Sequence, residues 1–331
     1  MTANFVRRPM TLRLKGAPMA LVILAVLLFA ALPARAINKY AGTSGAQFLK
    51  LGAGSRAGAM AEAYSAVCDD VYALYYNPGA LTNLTGSQLA ASHTEHFQGI
   101  NYEFAGFAIP WARQKDYSRH ALGVAIYNLS VGDIERRSED TPNSIGNFDA
   151  GDYSYNLTYA YRPDRKLGFG VTGKLIQQTI DSYKSDAVAA DLGLLYRPQP
   201  DAKRPYALSL VVKNWGTRPS FAGVSDPLPL GLTAGFGVQA LPKKLKVALD
   251  ITKYRDTDVF GALGGEYLHP FNDDIAGALR MGFTSHYREN PGLNELTLGA
   301  GLNFHRATFD FAWVPFGNLG NTFRYSLLIR F

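Results

Sequence analysis

Charged side chains set within apolar stretches are the residues of this sequence best able to do chemistry. Asp310 interrupts the run 307–313, and Arg324 interrupts the run 323–331. Such groups can pair with one another in structural networks, or they can line a path for an amphipathic ligand. Both interpretations stay open for the candidates, which are Lys174, Asp191, Lys213, Lys246, Asp250, Glu266, Arg280, Glu295, Asp310, Arg324 and Arg330.

No arrangement of residues in the sequence predicts catalysis. The six histidines are scattered, and His93 and His96 are three apart, which places them on opposite faces of a strand and makes them poor metal partners. A Gly-x-Ser-x-Gly nucleophile turn is missing, since Gly42-Thr43-Ser44-Gly45 has the wrong spacing. We therefore predict a protein that is not an enzyme and that uses no metal or other cofactor.

Apolar and polar residues alternate along most of the chain, as they do in strands, whose side chains alternate between two faces. The runs are about 9–13 residues long, which suits a tilted membrane-crossing strand and exceeds the ~5–6 residues of an ordinary strand. Fourteen strands are predicted, at about 86–96, 101–111, 119–131, 150–162, 166–181, 186–197, 206–216, 228–240, 244–254, 258–268, 274–286, 294–305, 306–316 and 321–331.

These strands favour an all-β, 14-stranded antiparallel transmembrane β-barrel over a soluble sandwich or propeller, with the apolar face toward lipid and the charged face enclosed. Every second connection is short and rich in proline, and an even strand count returns the chain to its starting side. We expect a protein of the outer membrane of a Gram-negative-type bacterium, with both termini in the periplasm. Its expected partners are outer-membrane lipid and the barrel assembly machinery, which would read Tyr325 and Phe331 on the C-terminal strand.

The first 36 residues are predicted to be a cleaved signal peptide. Four basic residues between 7 and 15 precede an apolar stretch, 19–32, and Ala34-Arg35-Ala36 ends the segment. Five of the 33 basic residues lie in it, so the remaining chain has 28 basic and 27 acidic residues. This near-neutral balance excludes a nucleic-acid-binding protein, which needs a concentrated basic face. The single cysteine, Cys68, excludes an intramolecular disulfide.

Residues 37–85 break the alternation and are predicted to form a plug inside the barrel, which itself spans 86–331. The alanine-rich stretch 57–67 predicts a short helix. Asp69-Asp70 can cap a second helical turn through Leu74, which Asn77-Pro78-Gly79 would end. Because a 14-stranded barrel is wider than one that side chains fill alone, an apolar insert of this length could occupy its lumen.

The same segment resembles a known family. The stretches 45–60 (GAQFLKLGAGSRAGAM) and 63–81 (AYSAVCDDVYALYYNPGAL) look like the opening of PorV/PorQ-type outer-membrane proteins, relatives of the FadL-like long-chain fatty-acid transporters. The resemblance implies an N-terminal plug marked by an Asn-Pro-Ala turn, which here is written Asn77-Pro78-Gly79-Ala80. Its plug residues would be Arg56, Asp69, Asp70, Asn77, Pro78 and Gly79.

Two functions follow from this resemblance. FadL-like architecture implies passage of hydrophobic or amphipathic molecules across the outer membrane, with the plug shifting to let the ligand through. PorV-like identity implies instead a component of a type IX-type protein secretion system that binds or shuttles cargo at the outer surface. The sequence does not separate these two functions.

Overall fold

The computed structural model describes residues 39–140, 142–221, 223–286 and 295–331. The predicted signal peptide, 1–36, lies outside the described residues. Sixteen strands form within the described residues, and fourteen of them close into one barrel, while the short pair β8 (Ser220–Phe221) and β9 (Val224–Ser225) makes a separate hairpin. The barrel strands are β1 (Gln88–Glu95), β2 (Asn101–Arg113), β3 (Ser118–Arg136), β4 (Gly146–Tyr161), β5 (Leu167–Ile180), β6 (Tyr183–Tyr196), β7 (Tyr206–Gly216), β10 (Gly231–Leu241), β11 (Leu245–Tyr254), β12 (Phe260–Pro270), β13 (Ile275–Thr284), β14 (Leu296–Phe304), β15 (Ala307–Pro315) and β16 (Asn321–Arg330).

Every barrel strand pairs antiparallel with its neighbour, and β1 closes the ring by pairing with β16 from Gln88 opposite Arg330 to Glu95 opposite Phe323. The prediction of a 14-stranded antiparallel barrel is confirmed, and each predicted strand overlaps an observed one. The main extension is on one side, where β3 has 19 residues and β4 has 16. Closure leaves the barrel itself without an unpaired strand edge, so its backbone ladder is continuous around the ring.

The polarity of the barrel is the reverse of that in a water-soluble protein. Along β4, Tyr155, Leu157 and Tyr159 point outward and are exposed, while Ser154, Asn156 and Thr158 point inward and are buried. An apolar outer face with a polar interior is the surface that acyl chains require. Exposed aromatic residues ring one end of this face, as interfacial girdles do: Trp111, Tyr161, Tyr196, Tyr267, Phe304 and Phe331.

The two ends of the barrel differ in their connections. The short-turn end carries the connections 114–117, 162–166, 242–244 and 305–306, and the long-loop end carries 137–145, 217–230 and 255–259. Phe331 N–H donates to Ser87 O at the short-turn end, whereas Gly45 N–H donates to Pro227 O at the long-loop end. Gly45 and Phe331 thus lie at opposite ends of the barrel, and the expectation that both termini are periplasmic stays a prediction.

The plug, residues 39–87, fills the lumen with small and aromatic side chains such as Ala63, Tyr64 and Tyr72, all buried. The helix predicted over 57–67 is wrong: only Ser55–Gly58 is helical, followed by turns in which Ala61 and Glu62 have φ of 52° and 67°. A second one-turn helix, Ala73–Tyr76, leads into a 3-10 helix, Pro78–Asn83. In the described part of the chain, no helix is long and apolar enough to cross a membrane.

Candidate functional site

A cavity of about 290 Å³ lies between the plug and one wall of the barrel. Strands β7 and β10 to β16 supply that wall, and the plug supplies the opposite side. We call this space the plug cavity. Its size is at the lower end of the range for small-molecule sites. Its lining comprises Gln47, Lys50, Leu51, Gly58, Ala61, Glu62, Ser65, Tyr76, Lys213, Thr233, Asp250, Thr252, Tyr254, Phe260, Ala262, Thr284, His286, Thr297, Val314, Phe316 and Arg324.

The apolar part of the lining is aromatic. The rings of Tyr254 and Phe260 stack with their centroids 6.3 Å apart. Leu51 from the plug and Phe316 from the loop before β16 add to this surface. Such walls can bury the ring or chain of a small ligand, which accounts for most of the binding free energy in sites of this kind.

An ion pair at the long-loop end ties the plug to the wall beside this aromatic surface. Lys50 Nζ lies 3.1 Å from Asp256 Oδ2, which also accepts a hydrogen bond of 2.7 Å from Gln47. Burial of Asp256 raises its pKa, but the bond from Gln47 and the ammonium of Lys50 outweigh that effect and leave the pKa below its ordinary value. The pair holds residues 47–50 against the loop 255–259.

The polar part of the cavity contains groups of both signs. Arg324 on β16 donates through Nη1 and Nη2 to Glu62 Oε1, at 3.0 and 3.1 Å, and Nη1 also reaches Gly52 O at 3.2 Å. Lys213 on β7 is buried, and its Nζ lies 3.9 Å from the centroid of the Tyr75 ring. The predicted lumen residue Arg324 therefore holds the plug and lines the cavity at once.

On the short-turn side of the plug cavity, a network of buried charges joins the plug to the wall, and Arg56 is its centre. Its Nε and Nη2 donate to both oxygens of Glu266, at 2.6 and 2.7 Å, in the paired geometry typical of arginine and carboxylate. Its Nη1 donates to Asp69 at 2.6 Å and to Asp70 at 2.9 Å. Arg56 and the two aspartates were predicted as plug residues, and the structure brings them together.

The wall side of this network continues around the barrel. Arg280 on β13 donates to Glu266 at 2.8 Å and to Asp310 at 2.7 Å, and Lys246 on β11 donates to Asp69. These groups also line a second cavity, of about 580 Å³, at the short-turn end. The plug residues 56–70 thus stand between the two cavities. Since these charges pair with one another and also line a cavity, both interpretations of the lumen charges stay open.

The Asn77-Pro78-Gly79 turn is seated against the opposite wall. Asn77 Oδ1 accepts from Gly79 N–H at 3.0 Å, and Nδ2 donates to Ser65 O and to Leu194 O, at 2.9 and 3.2 Å. A Cβ built on Gly170 would lie 2.2 Å from the carbonyl carbon of Pro78. The turn therefore lies directly on glycine backbone of β5 and β6, and we call Gly168, Gly170 and Gly193 the glycine seat.

The other predicted residues fall in different places. Lys174 and Asp191 form a buried pair 2.7 Å apart, away from the plug cavity. Asp250 lines the cavity and accepts hydrogen bonds from Tyr64 N–H, Ser65 N–H and Ser65 Oγ. Glu295 lies half-buried in the turn before β14.

Tyr325 and Phe331 both face outward and are exposed, and a role in barrel assembly stays a prediction.

Sequence reasoning missed Glu62 as a site residue. It is the only acid among the small residues 57–68, which is the signal that could have marked it. Within the described ranges, no group of three or more His, Cys, Asp or Glu side chains is arranged to hold a metal ion.

No protein-family model matches the sequence, and no curated protein matches it. Solved structures do. The toluene transporter TbuX of Ralstonia pickettii is 13% identical with a TM-score of 0.56, over 85% of this chain and 98% of that one. The toluene transporter TodX of Pseudomonas putida is 12% identical with a TM-score of 0.54, over 84% and 96%. A FadL homologue of Pseudomonas aeruginosa is 11% identical with a TM-score of 0.54, over 84% and 98%. At these identities the similarity shows the shared fold.

Proposed function

We propose that the protein passes small hydrophobic or amphipathic molecules across an outer membrane, without catalysing a reaction. The observation that carries this proposal is the plug cavity: a space with aromatic walls between the barrel and a plug that charged side chains hold in place. A ligand bound there is shielded from water on its way through a barrel whose outer face is apolar. Two of the structural neighbours, TbuX and TodX, are toluene transporters, which supports the same class of cargo.

Passage requires the plug to shift. Residues 56–70 separate the plug cavity from the cavity at the short-turn end, and Arg56 ties them to Glu266 on the wall. Because these contacts are ion pairs and hydrogen bonds rather than a continuous backbone ladder, the plug can move while the barrel stays closed. The ligand then binds first in the aromatic plug cavity and leaves through the charged cavity at the short-turn end.

The test is to fill the plug cavity. Ala262 on β12 is buried and lines it, so Ala262→Phe takes up space that a ligand would use. Ala234 on β10 faces outward, and Ala234→Phe is the matched control with the same substitution on the lipid side. We expect Ala262→Phe to lower the initial uptake of labelled naphthalene by cells at least about fivefold, a loss of ~1 kcal/mol in binding.

The control variant should keep the uptake of the unaltered protein. Equal uptake by both variants, with both barrels assembled, contradicts the proposal. Assembly is checked for each variant by its gel migration before and after heating.

The PorV-like secretion role stays a prediction, as does membership of the PorV/PorQ-type proteins. No contact described above favours it over passage of small molecules. Co-purification from the native membrane with cargo or with secretion components would support it.

A further inference from the structure

Resting on the proposed function, we infer that the plug cavity selects small aromatic molecules with a neutral polar head that both accepts and donates a hydrogen bond, such as a phenol. This class differs from a plain hydrocarbon, which offers neither function, and from a carboxylate, which offers only acceptors. Two charged groups of opposite sign at the polar part of the cavity carry the inference: Lys213 and Glu62.

Lys213 is the group that needs an acceptor. Its side chain is buried, and the faces of Tyr75 and Tyr76 lie 3.9 and 5.3 Å from Nζ, measured to the ring centroids. Among the described residues, no carboxylate or carbonyl accepts a hydrogen bond from this ammonium. The rings stabilise the positive charge but leave its N–H groups without an acceptor. A ligand oxygen at this point of the cavity supplies one.

Glu62 is the group that needs a donor. Both bonds from Arg324 to Glu62 go to Oε1, and within the described chain no hydrogen bond to Glu62 Oε2 is formed. A third of the side chain is exposed, at 33%, and it lines the cavity. A ligand hydroxyl can donate to this oxygen, whereas a ligand carboxylate meets another negative charge there.

The backbone around Glu62 is built to hold it in this position. Ala61 and Glu62 both have positive φ, which is uncommon for residues other than glycine and is held only by surrounding contacts. Ala61 N–H donates to Thr297 Oγ1 at 3.0 Å, and Thr297 Oγ1 in turn donates to Ala59 O at 2.9 Å. The wall strand β14 therefore fixes the turn from which Glu62 projects.

The apolar part of the cavity completes the selection. Tyr254, Phe260 and Phe316 give an aromatic surface, and the volume of about 290 Å³ suits a ligand of one or two rings. A long acyl chain exceeds that space. A plain hydrocarbon fits it but leaves the Lys213 ammonium and the Glu62 oxygen without partners after displacing water from them, which weakens its binding.

The test compares three ligands with the same ring system: naphthalene, 2-naphthol and 2-naphthoate. Binding is followed by their own fluorescence, at pH 7, to the full protein in nanodiscs of phosphatidylethanolamine and phosphatidylglycerol, with empty nanodiscs subtracted. We expect 2-naphthol to bind about tenfold more tightly than naphthalene, and more tightly than 2-naphthoate.

Variants assign this preference to the two residues. Lys213→Met keeps the length of the side chain and should bring 2-naphthol close to naphthalene. Lys115→Met, the same change on an exposed residue of the turn 114–117, should keep the preference. Glu62→Gln removes the negative charge and should strengthen the binding of 2-naphthoate several-fold.

The outcomes separate this inference from the proposed function. Equal binding of naphthalene and 2-naphthol, both lost in Ala262→Phe, overturns the inference and leaves the proposed function standing. Tighter binding of 2-naphthoate than of 2-naphthol also overturns it, because the polar group of the ligand would then not need to donate a hydrogen bond to Glu62. Absence of binding by all three ligands overturns both.

Discussion

Replacing Arg56 with methionine should loosen the plug without opening the barrel. Arg56 makes four hydrogen bonds to three carboxylates, and its side chain is 11% exposed while those of Glu266 and Asp70 are 6% and 2% exposed. Methionine keeps much of the side-chain length but removes every one of these bonds. The β-ladder of the wall does not depend on Arg56, so the barrel should assemble normally.

The size of the effect depends on the partners that the three carboxylates retain when Arg56 is removed. Removing one partner from a buried ion pair costs about 3–5 kcal/mol. Here Glu266 retains Arg280, Asp69 retains Lys246, and Asp70 retains the hydroxyl of Tyr64. We therefore take the lower figure, about 3 kcal/mol, which raises the population of the undocked plug about 100-fold.

Hydrogen exchange measured by mass spectrometry reports this change directly. Peptides covering 52–70 should exchange about 100-fold faster in Arg56→Met than in the unaltered protein, while peptides from the wall strands keep their rates. Arg165→Met is the matched control, because Arg165 also contacts two acids, Asp116 and Asp201, but at the exposed short-turn end. Ion pairs that are this exposed contribute little to stability, so the plug peptides should be unaffected.

A rise of less than about threefold in the plug peptides of Arg56→Met would refute the reasoning. Faster exchange of the wall strands along with the plug would refute it too, since it would mean that Arg56 supports the barrel as a whole.

Three further predictions follow from the same structure. Gly170→Ala places a Cβ against Pro78 and should destabilise plug docking by about 1–3 kcal/mol, whereas Gly173→Ala on the same strand meets open space and should be silent, as measured by protease cleavage within the plug. Burial and the nearby Arg324 lower the pKa of His96 from 6.5 to about 4, so the unfolded chain binds the extra proton between these values. Stability should therefore fall as the pH drops from about 6.5 to 4, by at most about 3 kcal/mol, and His96→Gln should remove that part of the pH dependence of the melting temperature. Finally, the intact barrel should migrate differently on gels before and after heating, and identical migration would contradict its membrane-barrel fold.

The barrel could be predicted from the sequence because its pattern is local. Each strand shows its two faces in consecutive residues, so a period of two is enough to find it. Leu328 illustrates the limit of this reasoning. It is an apolar residue on the otherwise polar, inward face of β16, where it is buried and packs within the apolar cluster that contains the plug. An apolar residue on the lumen face is thus a contact with the plug, which the alternation alone does not distinguish from an irregularity.

The plug could be located but its conformation could not. Its alanines favour a helix over 57–67, but the chain instead turns at Ala61 and Glu62 to fit against Thr297 and Gly282. Those contacts join residues more than 200 positions apart, and they outweigh a helix propensity that amounts to tenths of a kcal/mol per residue. The glycine seat was missed for the same reason, since glycines within a strand pattern give no sign of which distant turn they admit.

The glycine seat also fixes how the plug can move. On the β5–β6 side the Asn77 turn lies backbone against backbone and has no slack, while on the β10–β16 side the plug meets a cavity and flexible charged side chains. We therefore expect the plug to pivot about the Asn77 turn when the contacts of Arg56 break. A ligand that loosens the plug should leave the Asn77 turn on the glycine seat and displace the residues around Arg56. The route through the lumen would then run along the β10–β16 wall only.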